Sequence, residues 1–172
     1  MKDHHIYKLS SIINEFNETC IKERSSRKYL NGYYVTSEAP NTYKALKAYK
    51  HCKALPVYSG GSENTIYEHA YQNYNGRFVH DLYHIDLDVD FSFKGEWTAI
   101  RAHYLKLKKW ALKVKGRRCL RLRKLFLIDT ILQVMYYYDN KSYLDNQMQF
   151  VLSSWNEFSL DALESLMEVE HD

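Results

Sequence analysis

Ile6, Leu9, Ile12, Ile13, Phe16 and Cys20 recur at steps of three and four residues, the spacing that gathers apolar side chains on one face of an α-helix. This pattern predicts a first helix over residues 4–23 or so. Residues 25–36 are polar and irregular. Pro40 suits the first turn of a second helix whose apolar face is Tyr43, Leu46, Tyr49 and Cys52, and which ends before Pro56. Ser59-Gly60-Gly61-Ser62 marks a loop. After it, Ser62 or Asn64 is expected to cap a third helix that runs through His69 toward His84. Gly76 weakens that helix by about 1 kcal/mol relative to alanine. Residues 86–91 alternate with period two and read as a short extended linker. Ser92 then caps a fourth helix over 93–115, closed by Gly116. The dense apolar run from Leu120 to Met135 predicts a fifth helix at the centre of the core. Residues 142–156 and 159–169 read as two last helices, the final one acidic and amphipathic. The expected architecture is all-α, a single-domain bundle of six or seven helices spanning 1–172.

Composition supports a helical frame, because 172 residues contain only 6 Gly and 2 Pro. Collagen-like and low-complexity classes are excluded. Cys20, Cys52 and Cys119 are odd in number, far apart and without a Cys-x-x-Cys spacing. They are expected as reduced, buried thiols rather than as a disulfide frame or a thiolate zinc site. The longest apolar run, Leu125 to Ile128, is far too short to span a membrane. The first eight residues carry no apolar leader and no arginine-rich presequence, so a cytoplasmic location is expected. Gly-rich phosphate loops, Walker patterns, Gly-x-Ser-x-Gly elbows and dinucleotide fingerprints are all missing from the sequence.

Charge is unevenly placed. Residues 97–128 hold eleven basic and no acidic side chains, whereas 129–172 hold one basic and nine acidic ones. The net charge of +3 conceals this partition. Arg101, Lys106, Lys108, Lys109, Lys113, Lys115, Arg117, Arg118, Arg121, Arg123 and Lys124 form the basic block, with Trp97, Tyr104 and Trp110 among them. Three outcomes are open for it. Nucleic acid would use the basic groups for phosphates and the rings for stacking. An anionic membrane surface, or a protein partner, would use a basic helix with an apolar side. The third is internal: Glu157, Asp161, Glu164, Glu168, Glu170 and Asp172 pack near the block and neutralise it.

The chemistry concentrates in Phe78-Val79-His80-Asp81-Leu82-Tyr83-His84, followed by Glu96. His80 and His84 stand one helical turn apart, close enough for two imidazoles to share a metal ion. Asp81 is turned about 100° from His80 and reaches the same ion only across a helix end or by bending inward. On the fourth helix Glu96, Ile100, His103 and Leu107 share a face, so antiparallel packing brings Glu96 over the histidine pair. The expected ligands are His80, Asp81, His84 and Glu96 around one divalent ion, zinc first, with iron, manganese or cobalt also fitting a nitrogen and oxygen shell. Such an ion acts as a Lewis acid or lowers the pKa of a bound water, which points to a metal-dependent enzyme with a small-molecule substrate. His69, on the metal-facing side of a continuous third helix, and His103 are candidate general bases or orienting groups.

His80-Asp81-x-x-His84, eleven residues, then Glu96 resembles the His-Asp-x-x-His-(x)11-Glu signature of the coenzyme Q biosynthesis protein 4 family. Phe78-Val79 before the motif and Gly95-Glu96-Trp97 at the next helix extend the likeness over residues 70–110 or so. The resemblance implies a helical protein whose signature residues hold a divalent metal and act on a phenolic acid ring, by decarboxylation with hydroxylation. Short proteins of tailed phages look similar too, through His80, Asp81, His84, Phe93, Gly95, Glu96 and His103. Phosphohydrolases of the HD superfamily pair an earlier His with a His-Asp dipeptide, and His69 with His80-Asp81 mimics them. Their first His normally lies on an earlier helix, however, and His69 precedes His80 by only eleven residues.

Overall fold

Helix α1 (Asp3–Ser25) opens the chain, two residues longer than its periodicity predicts at the far end. The computed structural model describes residues 3–114, 116 and 119–169. Strand β1 (Gly32–Thr36), helix α2 (Tyr43–Lys47) with a 3-10 turn over Ala48–His51, and strand β2 (Ala54–Tyr58) follow. Helix α3 (Ala70–Leu87) and helix α4 (Phe93–Val114) are the long central pair. Helix α5 (Cys119–Leu127) passes through a π-helical turn, Ile128–Leu132, into α6 (Gln133–Asn140). Helices α7 (Gln147–Glu157) and α8 (Leu160–Leu166) complete the order. The fold is mostly helical, and with α5, the π turn and α6 taken as one rod it has seven helices among the described residues.

The helical bundle is as expected, and one small sheet accompanies it. β1 and β2 pair in parallel, with Tyr34 opposite Pro56 and Val35 opposite Val57. Parallel strands need a crossover, and α2 with its 3-10 turn supplies it. Pro56 is tolerated because a two-stranded sheet leaves one edge of each strand without a partner, so no ladder hydrogen bond is lost there. The second helix is accordingly short; Tyr43 and Leu46 lie on it, Tyr49 continues the apolar face from the 3-10 turn, and Cys52 falls beyond it, exposed. Cys20 and Cys119 are buried, as expected.

Two apolar clusters hold these elements. The larger joins α1 (Ile6, Ile13, Phe16), α4 (Ile100, Leu107), α5 (Leu122, Leu125), Val151 and Leu163. The dense run that predicts a central fifth helix is borne out, since Leu122, Leu125, Leu127, Ile128 and Ile131 are all fully buried. Each such side chain contributes about 1.5–3 kcal/mol. The smaller cluster packs the sheet and α2 against α3, through Leu46, Leu55, Val57, Phe78, Leu82 and Ile85. Helix α3 is thereby gripped on two sides, by Val79 in the larger cluster and by Phe78 and Leu82 in the smaller. Arg24, mostly buried at the end of α1, adds a two-pronged hydrogen bond to Asp86 on α3, at 2.6 and 3.0 Å.

Candidate metal centre

The turn between α3 and α4 sets the geometry of the centre. Helix α3 ends where Asp88 adopts the left-handed conformation, φ 55° and ψ 44°, and its N–H donates to the His84 carbonyl. Tyr43 and Lys47 both donate to the Asp88 carboxylate, which ties the turn to α2. Asp90 then accepts from the Ser92 backbone N–H at 3.1 Å, and Ser92 Oγ accepts from Gly95 N–H at 3.2 Å. Ser92 is therefore the cap of α4 that the sequence predicts. The Asp90 carbonyl oxygen packs onto the Gly95 backbone so closely that a Cβ there would lie 1.9 Å from it. Only glycine permits this approach, and the next residue, Glu96, is thereby placed in the first turn of α4, where the helix dipole favours a carboxylate.

Three donor atoms converge across the two helices. His80 Nε2 lies 3.0 Å from Glu96 Oε2, His84 Nε2 lies 3.1 Å from His80 Nε2, and His84 Nε2 lies 3.5 Å from Glu96 Oε1. His84 Nδ1 is 3.0 Å from the Val89 carbonyl and donates to it, which leaves a bare lone pair on Nε2 of the neutral ring. His80 Nε2 can offer one proton to one of its two neighbours. Two of the three contacts thus bring lone pairs together, an arrangement a cation relieves. Four ligands about 2.0–2.2 Å from an ion in tetrahedral array stand about 3.3–3.6 Å apart, and adjacent ligands in an octahedron about 2.8–3.1 Å. The observed separations fall in that range. The group could hold a metal ion by its geometry.

Burial and charge reinforce the arrangement. The His84 side chain is 0% exposed, while His80 and Glu96 keep 25% and 20%, so His84 is sealed and the other two retain access to solvent. Burial alone would raise the Glu96 pKa, yet the hydrogen bond with His80 and the adjoining His84 imidazole hold it at about 2. For His80, burial opposes charge, but the Glu96 hydrogen bond and the neighbouring carboxylates outweigh it and raise its pKa. Phe91 meets the His84 ring edge-on at 4.9 Å, and Tyr138 donates to the Phe91 carbonyl at 2.6 Å. Phe93 stands 5.1 Å from the Tyr138 ring. Tyr143, 80% exposed, stacks on Tyr137 at 4.6 Å. This aromatic wall beside the centre escaped the sequence reading, although the run Tyr136-Tyr137-Tyr138 was its signal.

The other expected site residues fall elsewhere. Asp81 is not in the converging group, because the turn of about 100° from His80 carries it off the shared face. It stays half-buried nearby, and burial, opposed by His80 and His84, pushes its carboxyl up to about 6. His69 is exposed and caps α3, its backbone N–H donating to Gln72 Oε1 at 3.2 Å. The third helix begins at Ala70 rather than near Ser62, so no continuous helix carries His69 onto the metal-facing side. Ile66, 0% exposed, and a hydrogen bond from Met148 N–H to the Asn64 carbonyl anchor the preceding segment as a loop. His103 does lie on the inward face of α4, but there the face meets Phe16, Tyr83 and Phe126. Burial drives its pKa well below 6.5, and Nε2 sits 3.3 Å from Asn17 Oδ1. It is a neutral core histidine.

The basic block divides in the structure. Arg123 is buried and, with Tyr104 and Lys108, binds Glu164 of α8. The expected neutralisation by the acidic tail thus occurs at Glu164. Lys106 pairs with Glu23 at 2.6 Å, and Lys124 lies 4.9 Å over the Trp155 ring. Arg101, Lys109, Lys113 and Arg121 are exposed and make no ion pair among the described residues. Lys115, Arg117, Arg118, Glu170 and Asp172 lie outside the described residues. Trp97 and Tyr104 are buried, and Trp110 packs on Phe16, so these rings belong to the core rather than to a stacking surface. No described helix is long and apolar enough to cross a membrane.

No protein-family model, curated protein or solved structure matches this chain.

Proposed function

We propose that the chain is a metal-dependent enzyme in which His80, His84 and Glu96 hold one divalent ion and leave open positions for water and substrate. The observation that carries this reading is the triangle of donor atoms at 3.0, 3.1 and 3.5 Å, with the His84 tautomer fixed by Val89. Two imidazoles and one carboxylate are a ligand set used by catalytic zinc and by non-haem iron, and zinc is the first choice, with iron, manganese and cobalt next. A structural zinc site closes with four protein ligands; this one offers three, and two of them keep partial exposure to solvent. The bound ion would polarise a substrate oxygen or supply a water of lowered pKa. Val89 orients His84, Glu96 contributes negative charge at neutral pH, and Phe91, Phe93 and Tyr138 offer apolar rings, set edge to face, to a substrate ring. A small phenolic acid or quinone precursor suits that wall, in line with the resemblance to the coenzyme Q biosynthesis protein 4 family.

Metal analysis tests the reading. Protein produced with zinc, manganese, iron and cobalt supplied is expected to carry close to one equivalent of divalent metal, and His84→Ala to lose it while keeping its helicity. A wild type free of stoichiometric metal sinks the proposal. A His84→Ala chain that unfolds with the loss of metal makes the ion a structural one.

A further inference from the structure

One face of α4 has no counterpart in the core. Leu105 and Leu112, two turns apart, are 46% and 59% exposed. Taking Leu105 as zero and 100° per residue, Leu112 falls near −20°, Arg101 near −40°, Lys109 near 40° and Lys113 near 80°, a single stripe about 18 Å long. At the end of this helix Val114 is 55% exposed, and Leu120 at the start of α5 is 57% exposed beside the exposed Arg121. The four basic groups make no ion pair among the described residues, and residues 97–128 contain no acidic side chain.

From this face we infer that α4 docks the protein on an anionic membrane surface, its leucines entering the headgroup boundary and its basic side chains meeting lipid phosphates. Two observations choose lipid over nucleic acid. The rings that could stack on bases, Trp97 and Tyr104, are buried, and Trp110 packs on Phe16. What the basic face exposes instead is aliphatic, which bases do not recognise and acyl chains do. Glu96 falls near 180° on the same wheel, so the metal centre stays uncovered when the leucine face is down.

Co-sedimentation with vesicles tests this, using phosphatidylcholine alone and phosphatidylcholine mixed with phosphatidylglycerol, with a short single-stranded DNA as a parallel probe. The wild type is expected on the mixed vesicles at low salt and not on the neutral ones. Lys109→Gln with Lys113→Gln should weaken binding about fivefold per charge. Leu105→Ser with Leu112→Ser keeps every charge and is expected to weaken it as well. Because all four side chains are exposed, circular dichroism should show both double variants folded. Failure of the wild type to bind the mixed vesicles overturns the inference. So does binding that the leucine pair leaves unchanged, and so does a chain that binds the DNA but neither kind of vesicle.

Discussion

The carbonyl oxygen of Asp90 occupies the space where any side chain at Gly95 would begin, 1.9 Å from an ideal Cβ. The obstacle is backbone, so it cannot swing aside as the end of a flexible side chain would. Gly95→Ala is therefore expected to destabilise the fold by about 3 kcal/mol and to displace the turn that carries Val89 and Glu96. Urea denaturation and metal titration of the variant check both effects. An alanine variant with wild-type stability and metal affinity contradicts the account.

At the proposed centre a metal ion would compete with a proton for His80. Without metal, its raised pKa means that the folded chain holds the proton more tightly than the unfolded chain does. That contribution to stability is complete below the ordinary value of 6.5 and fades as pH rises through the folded value. Metal needs the same lone pair, so its apparent affinity should climb over that window, by about tenfold per pH unit for one displaced proton. Titrations with zinc on both sides of neutrality measure the slope. In His80→Gln the slope should flatten and the affinity fall by more than about a hundredfold.

Glu164 neutralises Arg123, a residue only 7% exposed. Burial works against ionisation of this carboxyl, but hydrogen bonds from Arg123, Tyr104 and Lys108 keep its pKa low. Glu164→Ala leaves a buried charge without its counterion and should destabilise the protein by about 3 kcal/mol. Arg123→Met in the same chain removes the stranded charge and should recover part of the loss. Thermal melts of the two variants decide it, and a double variant no better than the single one argues against the ion pair as the cause.

Asp129 lies in the π-helical turn, and burial pushes its carboxyl up to about 7, against a hydrogen bond from Gln133 that lowers it. Between 3.8 and about 7 the folded state binds more protons than the unfolded one, so rising pH erodes stability across that window. Asp129→Asn removes the ionisation. It should stabilise the protein by about 2 kcal/mol above neutrality and change little near pH 4, a difference that urea midpoints at the two ends would reveal.

The sequence disclosed local order well and distant constraint poorly. Ser92 is legible as a cap because a hydroxyl ahead of an apolar period has a defined bonding role. His80, His84 and Glu96 are legible because helical spacing and antiparallel packing are enough to bring them together. His69 misleads, since periodicity carries on through residues 62–69 while Ile66 is buried in a loop by contacts remote in sequence. β1 and β2 are five residues each and pair across an intervening helix, so neither declares itself by alternation alone. His103 is on the predicted inward face, but which neighbours wait there depends on α1 and α5. Asp81 shows that neighbours in a dipeptide need not share a helix face, since the turn of about 100° from His80 carries it off the converging group.

His84 is oriented by the carbonyl of Val89, a main-chain atom that every amino acid possesses. Substitution at position 89 can therefore change the side chain freely and leave the imidazole aimed as before. Proline is the exception, because it would remove the N–H that Val89 donates to the His84 carbonyl at 3.1 Å. An engineer adjusting this site has a half-buried position beside His84, where polarity can be varied without touching the atom that steers that ring.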